Sequence, residues 1–303
     1  MHLQNVAAGG VALMLVWLCA GCAQTAARPA AEDRPEKAGT VARRSAVATA
    51  TPTPAAAERP SKAQQALTAV MAPVARADDG QVTVAVDDLA TGAEAAYCGK
   101  QEFVTASIVK VDILATLLYQ AQQADQQLST DEQALATTMI ENSNDDAASD
   151  LYADAGGAQA VDQANQVFGL SETTAGTGPY WGLTETTVDD QIRLLRLVFT
   201  RPSVLTAQSR TYIQDLMTQV ETDQQWGIPA AADGGTQFMV KNGWLPDPTT
   251  GLWEINSIGE VVHDGQRMLI AVLSEGNSTE DSGISLVQTV AETAAAAVAE
   301  AKT

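Results

Sequence analysis

Three short clusters in this sequence contain the groups that nucleophilic catalysis requires. The first is SIVK at residues 107–110, where the hydroxyl of Ser107 and the amine of Lys110 are one helical turn apart. The apolar residues that follow place Lys110 on an apolar helix face, where lost hydration lowers the pKa of an amine and lets it act as a base. A second interpretation remains open, in which Ser107 caps the helix and Lys110 is a surface residue paired with Asp112.

The second cluster, ENSNDD at residues 141–146, lies between two predicted helices. Ser143 offers a second hydroxyl, which could pass a proton to a departing amine. Ser, Asn and Asp before a helix are also the usual capping residues. Taken alone, this cluster does not distinguish catalysis from helix capping.

The third cluster, VKNGW at residues 240–244, follows the start of a predicted strand. Lys241 beside Asn242 can bind an anionic group, and Gly243 permits close approach of the backbone. A turn with a charged flank is the alternative. Separately, the aromatic pair Tyr180 and Trp181 could form a wall of a substrate cleft, although large aromatic residues are more often part of the core.

In this order the clusters resemble the S-x-x-K, S-D-N and K-T-G motifs of serine β-lactamases and penicillin-binding proteins. The stretch SNDDAASDLY resembles the class A pattern, in which a helix of small residues follows the second motif. The segments TASIVKVDILATLL and GGTQFMVKNGWLPD are similar to those of actinobacterial exported serine hydrolases of the class A β-lactamase-like kind. The resemblance extends over residues 63–302.

The resemblance implies a role for each matching residue. Ser107 is the acylated nucleophile, Lys110 activates it, and Ser143 with Lys241 relays the proton to the departing nitrogen. The backbone N–H groups of Ser107 and Trp244 form the oxyanion hole, and Asn242 lies beside the substrate carboxylate. With the cleft candidates above, the predicted substrate-binding residues are Asn144, Tyr180, Trp181, Asn242, Gly243 and Trp244. No cofactor and no metal is implied.

Two departures from the family pattern concern turnover. Asp145 replaces an asparagine; a carboxylate only accepts hydrogen bonds, and it favours the charged form of Lys110. The loop at residues 170–187 lacks the family's Glu-x-x-Leu-Asn element, which orients the hydrolytic water, and its only carboxylates are Glu172 and Glu185. We therefore expect acylation by a β-lactam or related amide, with slow deacylation.

Two other functions stay open at this point. One is a D,D-carboxypeptidase or another hydrolase of peptidoglycan peptides. The other is a catalytically degenerate lipoprotein that binds the cell wall, for which the unusual Asp145 and the missing loop glutamate are the motivation.

The elements that must position these clusters predict an α+β fold. Strand patterns occur at 81–86, up to residue 97, and at 237–241, 252–262 and 267–273, while helical patterns occur at 63–76, 107–122, 131–141, 146–153, 158–168, 188–199, 206–220 and 281–301. We expect an antiparallel five-stranded sheet flanked by N- and C-terminal helices, with an inserted all-helical subdomain, which is a β-lactamase/transpeptidase-like arrangement.

The N-terminal residues predict export. An apolar core at residues 11–18 precedes Cys19-Ala20-Gly21-Cys22, so residues 1–22 form a lipoprotein-type signal peptide and Cys22 is the lipidated residue. An ordinary cleaved signal peptide is the alternative. Residues 23–62 form a disordered Ala/Pro/Thr-rich tether, and residues 63–303 form the hydrolase domain. The predicted location is the cell envelope, either lipid-anchored to the outer face of the membrane or secreted.

Composition excludes several classes of function. The net charge of −20 argues against binding to a nucleic-acid backbone, which needs clustered basic residues. Removal of the signal peptide leaves His263 as the single histidine, which excludes a multi-histidine metal site. We expect a monomer that contacts the membrane only through its lipid.

Overall fold

A five-stranded antiparallel sheet forms the centre of the computed structural model, which describes residues 60–77 and 80–301. The described strands are β1 Gln81–Asp88, β2 Ala93–Tyr97, β3 Phe103–Val104, β4 Glu185–Thr186, β5 Met239–Pro246, β6 Trp253–His263 and β7 Gln266–Asn277. The large sheet has the order β2-β1-β7-β6-β5, and β3 pairs with β4 in a separate two-stranded sheet. Pairing of β1 with β7 joins the two ends of the domain.

Eight α-helices occur in the same described residues. They are α1 Lys62–Ala77, α2 Val109–Gln123, α3 Thr130–Glu141, α4 Asp145–Asp154, α5 Gly157–Phe168, α6 Val188–Phe199, α7 Ala207–Thr218 and α8 Glu280–Glu300. Helices α1 and α8 contact each other and the sheet, and α2–α7 lie between β3 and β5 in the chain. The α+β fold, with its five-stranded sheet and helical insertion, is therefore confirmed.

Side chains of β7 are buried on both faces of the sheet. Met268, Ile270 and Val272 are buried in a cluster with α1 and α8. Leu269 and Leu273 belong to the other cluster, which is formed mainly by the helical insertion. Successive strand residues point to opposite faces, so a continuous apolar run indicates a strand buried on both sides.

The observed boundaries differ from the predicted ones near the third cluster. The strand predicted to end at Lys241 continues to Pro246, because β5 stays paired with β6 as far as Pro246 opposite Trp253. The Asn-Gly pair at 242–243, which is typical of a turn, therefore lies inside a strand. Likewise, β7 continues to Asn277, and the β3–β4 pair was not predicted.

The predicted signal peptide, Cys22 and nearly all of the tether lie outside the described residues. Within residues 60–77 and 80–301, none of the helices combines the length and apolarity needed to cross a membrane. The same residues contain no group of three His, Cys, Asp or Glu side chains arranged to hold a metal ion.

Candidate active site

Ser107 lies in a short 3₁₀ turn, Ala106–Ile108, directly before α2. The residue before it, Ala106, has a φ of 46°, a left-handed conformation that costs a non-glycine residue about 1–3 kcal/mol. The turn is fixed from one side by Thr105, whose N–H donates to the Thr184 carbonyl at 2.8 Å. The nucleophile candidate is thus presented by a strained but tightly held segment.

Asn256, a residue that sequence analysis missed, fixes this turn from the sheet side. Its fully buried Nδ2 donates to the carbonyls of Val104 and Thr105, at 2.8 and 3.0 Å. Its Oδ1 accepts from the Ser274 N–H at 3.1 Å. The available signal is a polar residue within the apolar run of β6, since a buried amide needs hydrogen-bond partners.

Gly243 allows β5 to contact the nucleophile turn. A Cβ at this position would lie 2.7 Å from the Ser107 nitrogen and 2.9 Å from the Ile108 nitrogen. Those distances are too short for any side chain, so only glycine fits here. The next residue, Trp244, packs edge-on against Trp226 with ring centroids 5.9 Å apart.

Lys110 is fully buried, with its ammonium directed at both candidate hydroxyls. Nζ donates to Ser107 Oγ at 2.9 Å, to the Ser143 carbonyl at 2.7 Å, to Ser143 Oγ at 3.0 Å and to Asp145 Oδ1 at 2.7 Å. Burial lowers the pKa of Lys110, and the Asp145 carboxylate opposes that effect. The alternative of a surface Lys110 paired with Asp112 is wrong, because Lys110 is buried and its ammonium contacts Asp145 instead.

Ser143 lies between α3 and α4 and connects the two lysines. Its φ of 54° places it in the left-handed region, and its Oγ accepts from Lys241 Nζ at 3.0 Å as well as from Lys110. Burial, followed by the charge of Lys110, lowers the pKa of Lys241 well below its ordinary value. A continuous path of hydrogen bonds thus runs from Ser107 through Lys110 and Ser143 to Lys241.

The two residues after Ser143 have different contacts. Asn144 is the N-cap of α4, and its Oδ1 accepts from the Ala147 N–H at 2.8 Å. The side-chain carbonyl of Asn144 therefore acts as a helix cap. No contact in this geometry supports the predicted role of Asn144 in substrate binding. Asp145 has a side chain that is 74% exposed, and it reaches back to Lys110.

Comparison with known proteins identifies the family. The model of the Beta-lactamase2 family, described as a beta-lactamase enzyme family, matches residues 62–134 and 130–298. The chain belongs to this family. Among curated proteins, those named as lipoprotein LppW in Mycobacterium bovis and Mycobacterium tuberculosis are each 28% identical over 172 residues. The chain spans about half the length of these relatives, since the match covers 54% of each protein.

Solved structures support the same fold for this Beta-lactamase2 member. A class A β-lactamase from Bacteroides cellulosilyticus is 15% identical, with a TM-score of 0.69 and coverage of 80% of this chain and 100% of the other. A point mutant of PBP-A, solved as an acyl-enzyme complex with penicillin G, is 21% identical, with a TM-score of 0.67 and coverage of 78% and 97%. The predicted membership of the β-lactamase and penicillin-binding-protein superfamily is confirmed.

Asn242 of this Beta-lactamase2 chain forms hydrogen bonds within the protein. Its side chain is fully buried, and Nδ2 donates to the carbonyls of Gln224 and Trp226 at 2.7 and 2.9 Å. Both amide protons are thereby used on the segment that precedes β5. Asn242 therefore ties that segment to the strand, and its position beside a substrate carboxylate stays a prediction.

Tyr180 and Trp181 of this Beta-lactamase2 chain are neighbours with different environments. Tyr180 is 63% exposed, whereas Trp181 is 8% exposed. The Trp181 ring centroid lies 4.9 Å from Lys110 Nζ, within the range of a cation–π contact. Its Nε1 donates to Ser149 Oγ on α4 at 3.0 Å. Trp181 is therefore a wall of the site around Lys110, while Tyr180 faces outward.

The two loop carboxylates do not approach Lys110. Glu172 forms an ion pair with Lys100 at 2.9 Å. Glu185 is exposed on β4, where its backbone pairs with Thr174. Asp145 is the one described carboxylate whose charge acts on the pKa of Lys110. Within the described residues, neither loop carboxylate therefore hydrogen-bonds to Lys110 or contributes to its pKa.

Proposed function

We propose that this protein is an exported serine hydrolase that forms an acyl-enzyme on Ser107 with β-lactams or related amides and releases it slowly. The observation that carries the proposal is the position of Lys110 Nζ. It is fully buried, 2.9 Å from Ser107 Oγ and 3.0 Å from Ser143 Oγ. A buried amine at hydrogen-bond distance from a hydroxyl is the arrangement that activates a nucleophile.

In the proposed acylation, neutral Lys110 takes the proton of Ser107 as Oγ attacks the amide carbonyl carbon. The carbon–Oγ bond forms, and the carbon–nitrogen bond then breaks. The proton passes from Lys110 through the Ser143 hydroxyl to the departing nitrogen, and the adjacent Lys241 ammonium favours that transfer. The developing oxyanion is placed against the backbone N–H of Ser107, which β5 approaches through Gly243.

Slow release is proposed because the structure offers acylation groups without a second base. Glu172 is engaged with Lys100, and the exposed Glu185 lies on β4. An acyl-enzyme formed on Ser107 by a β-lactam would then persist. The absent second base argues against efficient β-lactamase activity and leaves the hydrolysis of D-Ala-D-Ala peptides as the second candidate function.

The decisive test is to mix the purified chain with a fluorescent penicillin and to follow its intact mass over time. We expect a mass increase equal to one probe, located on Ser107 by peptide mapping and absent in Ser107→Ala. Ser285→Ala, a change at an exposed serine on α8, should acylate normally. Absence of an adduct in the wild-type protein would contradict the proposal and favour the binding-only alternative.

Two further measurements separate the candidate substrates and test the anchor. Release of D-alanine from a D-Ala-D-Ala peptide supports the peptidase, while complete probe hydrolysis with no lasting adduct supports a β-lactamase.

We also propose that Cys22 carries the lipid, as the lipoprotein name of the LppW relatives suggests. Expression of the full chain with Cys22→Ser should move the protein from the detergent-rich to the aqueous phase.

A further inference from the structure

The indole of Trp181 lies beside the Lys110 Nζ, which also contacts several protein oxygens. Four oxygens, from Ser107, Ser143 and Asp145, already lie within 3.0 Å of Nζ. An ammonium has only three protons to donate, so its hydrogen-bonding capacity is filled by protein. The Trp181 ring centroid lies 4.9 Å from Nζ, and Trp181 is 8% exposed, so the indole fills volume next to the amine.

We propose that Trp181 excludes water from the acylated Ser107 and thereby sets the lifetime of the acyl-enzyme. This inference rests on the proposed function and deepens it, because a missing glutamate explains only the lack of a second base. Trp181 is a positioning residue in this account, since it acts through the space around Lys110.

The chemistry that Trp181 blocks is the second half of hydrolysis. A water oxygen would attack the ester carbon, the carbon–Oγ bond would break, and the proton lost by the water would return to Ser107 Oγ. That proton has to be taken up by a base beside the ester, and the nearest amine is Lys110. A water molecule positioned between Nζ and the ester would need the volume next to Nζ, part of which the indole fills.

Several hydrogen bonds hold the indole in place. Its Nε1 donates to Ser149 Oγ at 3.0 Å, and that hydroxyl donates to the Asp145 carbonyl at 2.9 Å. The Trp181 carbonyl accepts from Thr184 Oγ1 at 2.7 Å. The Tyr152 hydroxyl donates to the Gly176 carbonyl at 2.6 Å and pins the same loop. Trp181 is therefore a fixed wall of the site.

The test is a volume series at one position: Trp181→Phe, Trp181→Leu and Trp181→Ala. Acylation and deacylation are timed separately, by intact mass after mixing with a fluorescent penicillin and then after removal of excess probe. We expect the adduct lifetime to shorten with the volume removed, by about tenfold or more for the alanine variant, which corresponds to about 1.4 kcal/mol in the barrier. Acylation rates should change far less.

Two companion variants control for disturbance of the loop. Leu183→Ala truncates an exposed side chain in the same 3₁₀ turn and should keep the wild-type lifetime. Ser149→Ala leaves the ring but removes its hydrogen bond, and should shorten the lifetime by less than Trp181→Ala does. If Trp181→Ala does not fold, the adduct lifetimes of Trp181→Phe and Ser149→Ala still test the inference.

The outcomes separate this inference from the proposed function. If the wild-type protein forms no Ser107 adduct, the proposed function fails and the inference fails with it. If the wild type acylates but all Trp181 variants keep its adduct lifetime, only the inference is overturned. It is also overturned if folded variants lose acylation instead, because the ring would then serve the first step.

Discussion

Replacing Asp145 with asparagine should shift the pH dependence of acylation to lower pH. The carboxylate lies 2.7 Å from Lys110 Nζ and raises its pKa, in opposition to burial. Asp145→Asn removes one negative charge with little change in shape. The pKa of Lys110 should therefore fall, and a larger fraction of the amine should be neutral and able to take the proton of Ser107.

The expected magnitude follows from distance and exposure. Two unit charges 2.7 Å apart interact by about 1.5 kcal/mol at the dielectric constant of water. The Asp145 side chain is 74% exposed and that of Lys110 is fully buried, so the water value is the lower bound of this interaction. Removing that attraction should therefore lower the pKa of Lys110 and raise the neutral fraction of the amine at a given pH.

The assay is the second-order rate constant for acylation by a fluorescent penicillin, measured by rapid mixing from about pH 5 to about pH 10 to cover both limbs of the profile. The midpoint of the ascending limb should move to lower pH in Asp145→Asn. Asp146→Asn removes the same charge one residue further along α4 and should leave the midpoint in place. A midpoint that stays or rises in Asp145→Asn would refute the assignment of Lys110 as the base.

Three further predictions concern the supports of the site. Gly243→Ala should abolish acylation, measured as adduct formation, because its Cβ would lie 2.7 Å from the Ser107 nitrogen. Gly234→Ala is the control, because a Cβ there meets nothing within 4 Å. Asn256→Ala strips the donor from two carbonyls and should lower the free energy of unfolding by about 1–3 kcal/mol, measured in urea, while slowing acylation. Burial raises the pKa of Asp112 from 3.8 to about 7, so the folded state holds a proton that the unfolded state loses, and stability falls as pH rises from about 4 to about 7. Asp112→Asn should remove that pH dependence and add up to roughly 4 kcal/mol to the free energy of unfolding above pH 7. If the melting temperature of the variant still falls with pH as in the wild type, the raised pKa of Asp112 is not its cause.

The order of elements was accessible from sequence because each segment carries its own periodicity. The continuous apolar run of β7 and the apolar stripe of α2 are local patterns, so the five-stranded sheet and the helical insertion could be predicted. The boundaries of β5 were not accessible in the same way. The Asn-Gly pair favours a turn locally, and the pairing of β5 with β6 on both sides of Gly243 keeps the strand extended.

The candidate site could be predicted in part for the same reason. Ser107 and Lys110 are neighbours on one turn, so their contact follows from helix geometry alone. The partners of a buried side chain come from segments distant in sequence, so the hydrogen bonds of the Asn242 amide to Gln224 and Trp226 could not be predicted. The contact of Trp181 with Lys110 needs the path of an irregular loop, which no periodic pattern specifies.

The charges of the site indicate which substrates complete it. Lys110 and Lys241 are both buried and share the hydroxyl of Ser143, so each charge disfavours the other. Asp145 supplies one negative charge, which compensates the positive charge of one of the two lysines. An anionic substrate would supply the second, allowing Lys241 to stay protonated while Lys110 cycles between neutral and charged forms. A penicillin and a peptide ending in D-Ala-D-Ala each carry such a carboxylate, so esterification of that group should slow acylation even though the amide that reacts is unchanged.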